Sequence, residues 1–273
     1  MTSVFLAFGV KSKLIEFCIE TIESLADVSL FSNQACQFGD IVSSAIGSGA
    51  FDFLRGAGEA LLVCFFLIFF VESAIRDHHD PDALFKELAL LCLYSAILTN
   101  LPMVVTSLSE FGQEIVTGIV NSGGLDAAGS ADVSSTVAKI KDKLNDLNIF
   151  ALCFQVVIYF IFGNIMKFVI QIVAYIALFT VKVELFIRTV AMPLAVALIA
   201  DDGWKGPGGR YIKKWVGCFV QMGIISIATQ SYTFVTGLTV GSVDMFPALI
   251  AAGLAVAGIC MKSGQLASDV VGG

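Results

Sequence analysis

Residues 149–200 form an apolar run with no clear turn, and nothing else in the sequence limits the fold so severely. As one helix the run would be about 78 Å long, whereas a hydrocarbon core is about 30 Å thick and takes about 20 residues to cross. Two readings stand. The run is one long crossing followed by a kinked, partly re-entrant piece near Pro193, or two crossings with a tight break near Gly163–Asn164. In lipid the backbone must satisfy its own hydrogen bonds, and helices do so within one segment. The bulk composition agrees: 57% of the 273 residues are hydrophobic and 14% are charged, against about 25% charged in soluble domains. Mean hydropathy is +0.87. The expected fold is an all-α, polytopic membrane bundle of five to six transmembrane helices plus amphipathic helices.

The remaining segments fit around that run. Residues 1–56 are an N-terminal amphipathic region, with Leu14, Cys18, Ile22 and Leu25 on one helical face and Glu16, Glu20, Glu23 and Asp27 elsewhere. Its acidity favours packing against a subunit over lying on a membrane surface. Its first residues do not read as a signal peptide. Residues 57–108 hold the first two spans, joined by "RDHHDPDALFKEL", where Asp80 before Pro81 reads as an N-cap followed by a first-turn proline. Asn100 and Pro102 interrupt the second span, and Pro102 kinks it or ends its regular part. Residues 109–148 are a polar loop with an amphipathic helix carried by Val133, Val137, Ile140, Leu144 and Leu147. The core, 149–261, has its kinked segment at 189–210 and ends in spans at about 212–238 and 247–261. A short tail, 262–273, follows. The basic residues at 201–214 and Lys262 place both of those ends in the cytoplasm. Five spans would put the N-terminus outside; six would put it inside and make Lys11, Lys13, Lys139, Lys141 and Lys143 cytoplasmic too, which the charge rule prefers.

The apolar run carries charges, which cost several kcal/mol in lipid unless paired, hydrated or snorkelling. On a continuous helix, at about 100° per residue, Asn164, Lys167, Gln171 and Lys182 fall within about 60° of one another. Glu184 and Arg188 lie on an adjacent face, four apart, with the acid first, which is the favourable order for a helical ion pair. The stripe reads as buried subunit contacts with snorkelling lysines, or as the wall of a hydrated pathway. Glu59 reads as an interfacial residue, or as a proton or ion site. After the stripe comes a polar knot: Pro193, then Asp201, Asp202 and Gly203, then a basic cluster of Lys205, Arg210, Lys213 and Lys214.

Other chemistry is sparse. "DHHD" at 77–80 holds the chain's two histidines, but a zinc site needs further ligands at helical spacing; it reads as a solvated turn. "GPGGR" lacks the GK[ST] ending of a phosphate-binding loop, and no nucleophile triad can be assembled. Neither an enzyme nor a cofactor or metal site is expected. The seven cysteines include no CxxC. Cys18 and Cys36 would pair only on an oxidising side. A net charge of −7 excludes a strongly basic nucleic-acid-binding domain. Gly253, Ala257 and Gly258 allow close helix packing in the last span.

The segment "VKVELFIRTVAMPLAVALIADDGWKGPGGRYIKKWVGCFVQ", residues 181–221, resembles the core of TrbL-type conjugal transfer proteins, with Glu184, Arg188, Pro193, Gly203, Lys213 and Gln221 in matching places. "LTN" before Pro102 and the tail "MKSGQLASDVVGG" are also similar to that family, and "GRYIKKW" looks most like its versions on mobile elements of Gram-positive bacteria. The resemblance covers most of residues 57–273 and rests on pattern, since no single motif is diagnostic. It implies a multi-pass, non-enzymatic channel or scaffold subunit of a type IV secretion system in the bacterial cytoplasmic (inner) membrane. It implies a homo-oligomeric ring, a pentamer as in similar machines. The implied partners are pilin-like subunits, the ATPase and membrane scaffold proteins. Membrane lipid would surround it, and single-stranded DNA or secreted protein would be the cargo. Two rival classes stand beside it: a secondary transporter coupled through Lys182, Glu184 and Arg188, and a structural membrane subunit of another assembly.

Overall fold

The computed structural model describes residues 12, 13, 16, 17, 20, 37–75, 81–121, 149–239 and 245–272. Among them the chain is all-helical: α1 (Gly39–Ile46), α2 (Gly49–Ile75), α3 (Pro81–Thr99), α4 (Leu101–Asn121), α5 (Ile149–Val190), α6 (Met192–Asp202), α7 (Pro207–Thr239) and α8 (Met245–Val271). Three helical stretches are long and apolar enough to cross a membrane: Gly49–Ile75, Asn164–Val190 and Ile250–Val271. A bent pair, Leu84–Thr99 with Leu101–Gly118, makes four if it is one span. Leu14, Cys18, Ile22, Leu25, Cys36, the turn at 77–80 and the helix expected around 133–147 lie outside the described residues.

The long apolar run is settled in one respect. α5 is helical for 42 residues through Gly163 and Asn164, so the tight break expected there is not present. The chain instead leaves the helix at Ala191, two residues before Pro193, which stands in the first turn of α6. Proline is tolerated there because first-turn amides have no intrahelical acceptor. Pro102 acts alike in the first turn of α4, and the axis bends by 64° between Leu84–Thr99 and Leu101–Gly118. Thr99 Oγ1 and Asn100 Nδ2 donate to Ser95 O and Ala96 O, at 2.9 and 2.8 Å, and so cover carbonyls at the end of α3.

Several limits differ from those expected. α4 continues to Asn121, into the expected polar loop, and α8 continues to Val271, so the expected tail is helical and Lys262 lies inside a helix. α7 covers the expected span at 212–238 but is not apolar enough to count among the candidate spans. Gln221, Ser226, Thr229, Gln230 and Ser231 interrupt its greasy residues.

Two compact units divide the chain. One comprises Met1–Ala35, Gly118–Leu178 and Gly223–Ser263. Here Gly253 of α8 sits against Met166 and Ile170 of α5, where an added Cβ would be 3.1 Å from Ile170 Cδ1. Ala257 is buried, while a Cβ on Gly258 would meet nothing, so close packing falls on the first two of the three small residues singled out in this helix.

The other unit comprises Cys36–Thr117, Phe179–Met222 and Gly264–Gly273. Its centre is α6, whose Met192, Pro193, Ala195, Val196, Ala197 and Ile199 are all buried. α2 and α3 pack on it and on each other. Ser48 caps α2 by accepting the Phe51 amide at 3.3 Å. Gly58 of α2 lets that helix reach the break itself, since a Cβ there would lie 3.0 Å from the carbonyl oxygen of Pro193. Phe219 of α7 packs edge-on against Trp215, ring centres 4.8 Å apart, and against Phe38 at 5.0 Å.

The polar knot is the turn from α6 to α7. Gly203 closes α6 at φ +70°, donating its amide to Ile199 O at 2.8 Å, a conformation in which glycine pays no Cβ penalty. Pro207 opens α7. Gly208 lies directly on α6: a Cβ there would collide with the carbonyl oxygen of Ala195 and the Ile199 side chain. Gly208→Ala is therefore expected to lower stability by about 1–3 kcal/mol, the usual cost of overpacking. Gly56→Ala, at a mid-helix site with open space around the Cβ, should raise it by about 0.5–1 kcal/mol. Denaturant titration of both variants in micelles reads the two signs.

Candidate functional site

Glu184 and Arg188 of the apolar run and Lys213 and Lys214 of the knot converge at one place in the second unit. α5 ends with Glu184 and Arg188, α7 begins with Lys213 and Lys214, and the last turns of α8 bring Gly264, Ser268 and Val271 beside them. Together with Gly217, Cys218 and Gln221 of α7 they line a cleft of about 290 Å³.

Arg188 is held from three sides. Its Nε donates to Glu184 Oε1 at 2.8 Å and its Nη2 to the same oxygen at 2.5 Å. This is the ion pair expected from the four-residue spacing. The guanidinium carbon stands 5.5 Å from the centre of the Tyr211 ring, a cation–π distance. The Tyr211 hydroxyl donates to the Arg188 carbonyl at 3.3 Å. The Arg188 side chain is 19% exposed and that of Glu184 40%, so the pair sits half out of the protein rather than in a dry core.

Beneath the pair, a buried relay ties α7 to α5. Trp215 Nε1 donates to Thr189 Oγ1 at 2.9 Å, and Thr189 Oγ1 donates to Leu185 O at 2.8 Å. Trp215 is 1% exposed and Thr189 0%. The indole N–H thus has its partner out of water, and the hydroxyl uses its acceptor and donor roles together. On the open side, Lys213 Nζ donates to Gly272 O at 3.2 Å, while Lys213 and Lys214 are both exposed.

The other expected residues fall elsewhere. In the first unit, Asn164, Lys167 and Gln171 of α5 line a shallow groove of about 560 Å³. Lys182 is half-buried on α5 and does not line the charged cleft. Pro193 is buried in the core. Asp201, Asp202, Lys205 and Arg210 are exposed around the turn, and Asp201 also lines a small cavity of about 170 Å³ with Glu87 and Phe66. Among the described residues no group of three or more His, Cys, Asp or Glu is placed to hold a metal ion.

Sequence reasoning did not foresee the α8 contribution or the Trp215–Thr189 bond. The signal for the first is the small residues Gly264, Ala267 and Ser268 at helical spacing, which fit a helix that approaches others closely. The second leaves no periodic trace.

The cleft carries three cations against one carboxylate, which itself is paired. Its chemistry is to hold or guide an anion. The relay below joins α7 to α5 in the core, so breaking it should cost stability. Thr189→Val keeps the shape and orphans the buried indole N–H, with an expected loss of about 1–3 kcal/mol. Trp215→Phe combined with Thr189→Val should cost less than the two single losses added together, as a double-mutant cycle in micelles would reveal. No protein-family model, curated protein or solved structure matches the chain.

Proposed function

We propose that this protein is a TrbL-type membrane channel or scaffold subunit of a conjugative type IV secretion system. In this reading it sits in the bacterial cytoplasmic membrane as a homo-oligomer, with a pilin-like subunit, an ATPase and membrane scaffold proteins as partners. The observation that carries the reading is the build of residues 181–221, the stretch with the family resemblance. Its residues form one packed element: the end of α5, a proline-started buried α6, a glycine turn and a basic, aromatic start to α7.

A second observation supports a partner or headgroup outside the chain. Asp201 and Asp202 stand in the last turn of α6, and Arg210 stands in the first turn of α7, with Lys213 and Lys214 in the second. Helix dipoles favour the opposite arrangement, acids at N-termini and bases at C-termini. The dipoles of α6 and α7 therefore do not explain Asp201, Asp202 and Arg210. An anionic surface met by the α7 start does.

The span count belongs to the same proposal. With α5 as one crossing, the bent α3–α4 pair as one and α7 as one despite its polar residues, the chain crosses five times. The α6–α7 turn is then cytoplasmic and the region before α2 is outside. Two of the polar groups of α7 find partners within the helix, Thr229 Oγ1 donating to Ile225 O at 3.0 Å and Ser231 Oγ to Ile227 O at 2.8 Å.

The test is transfer frequency from a donor lacking the gene, with complementation. Loss and recovery of transfer is the expected result. The triple reversal Arg210→Glu, Lys213→Glu and Lys214→Glu should insert normally and abolish transfer. Unchanged transfer in the deletion strain would reject the secretion role, and solute uptake in proteoliposomes would then test the transporter reading. Transfer lost in the deletion strain yet retained by the triple reversal would confine the rejection to the basic cluster.

A further inference from the structure

The turn from α6 to α7 carries an aromatic side chain at its tip. The Gly206 amide donates to Gly203 O at 3.1 Å, which closes a four-residue turn with Trp204 and Lys205 as its central residues. The backbone is held on both sides of that tip. A Cβ on Gly206 would collide with the Asp202 side chain, and one on Gly209 would collide with the Trp204 carbonyl. Trp204 is 64% exposed, whereas the chain's other tryptophan, Trp215, is buried. So large a ring left in water forgoes the gain of burying it, and a fixed turn keeps it where an outside surface can take it up.

The level of the turn decides which surface that is. Asp201, three residues before Trp204, lines one cavity with Phe66 and Phe69 of α2 and Leu90 and Leu91 of α3. The turn therefore stands beside the apolar part of α2, a candidate span, and not beyond its end. At that level α2 exposes Leu67, Ile68, Phe70 and Val71, while the turn exposes Asp202, Lys205 and Arg210. Charged groups level with an apolar outer surface mark the boundary between headgroups and acyl chains. An indole suits that boundary, since its ring is apolar and its N–H needs a polar partner. A protein interface suits the tip less well. Charged residues are depleted at the centre of such interfaces, and Asp201, Asp202 and Lys205 all lie within three positions of Trp204. We propose that Trp204 is a membrane anchor: its indole lies in the headgroup layer and holds the α6–α7 turn at that depth. This rests on the membrane placement proposed above and not on the secretion role, so the transfer test and the test below can fail separately.

Having two tryptophans, one exposed and one buried, makes the test direct. The full chain is reconstituted in phosphatidylcholine vesicles whose acyl chains carry bromine either next to the headgroup or near the chain end. The Trp204 emission is the difference between the unaltered chain and Trp204→Phe. That difference should fall most with bromine next to the headgroup and less with bromine near the chain end. The emission left in Trp204→Phe comes from Trp215 and should change little with either lipid. Fluorotryptophan in the unaltered chain repeats the test with no substitution: of its two fluorine resonances, one should broaden when a lipid with a nitroxide at the headgroup is added.

Three results would overturn the proposal. One is Trp204 emission that ignores bromine and is quenched by aqueous iodide, which would leave the ring in water. Another is protection from both bromine and iodide, which would mean that protein, a second copy of this chain, covers it. The third is strongest quenching by bromine near the chain end, which would put the turn inside the hydrocarbon.

Discussion

A chain this apolar can leave the helix only where something else covers the amides and carbonyls it exposes. The rest of the second unit depends on how that condition is met at Ala191. Proline removes one donor from the first turn of α6, Gly58 brings α2 onto the Pro193 carbonyl, and α6 disappears into the core on nearly every side. Once α6 is covered, its polar end has to emerge, and it does so at Asp201 and Asp202. The reversal at Gly203 then returns the chain along α6, close enough that Gly208 admits no side chain. Backbone satisfaction at one break thereby sets the positions of the charges that follow it.

Those charges form two groups with different physics. The Glu184–Arg188 pair is a within-helix contact, modest in energy when half exposed, and its value here lies in holding a guanidinium still. Lys213 and Lys214 are long and exposed, and Lys213 donates to the Gly272 carbonyl just beyond α8. Their reason for being there must come from outside the helix that carries them.

Much of this was legible from residue order, and the failures have common causes. The Glu184–Arg188 pair followed from a spacing of four, and the bend at Pro102 from a missing N–H, because both are local. The continuity of α5 did not, since Gly163 and Asn164 look like a break but are tolerated inside a helix with apolar neighbours on either side. The reach of α4 to Asn121 and α8 to Val271 was hidden because hydropathy falls there while helix formation does not depend on it. Lys262 was read as the start of a short tail for that reason. The meeting of Glu184 with Lys213, and of Thr189 with Trp215, depends on the chain's return through α6 and leaves no mark in any periodicity.

The glycine contact between α6 and the start of α7 also has a mechanical meaning. Side chains can change rotamer to let two helices slide, but the Ala195 carbonyl and the Gly208 α-carbon have no such freedom. α6 and the first turns of α7 therefore behave as a single stiff strut. Force applied to the basic end of α7 travels to the buried face of α6 without being absorbed between them, and compliance is left to the joint at Ala191.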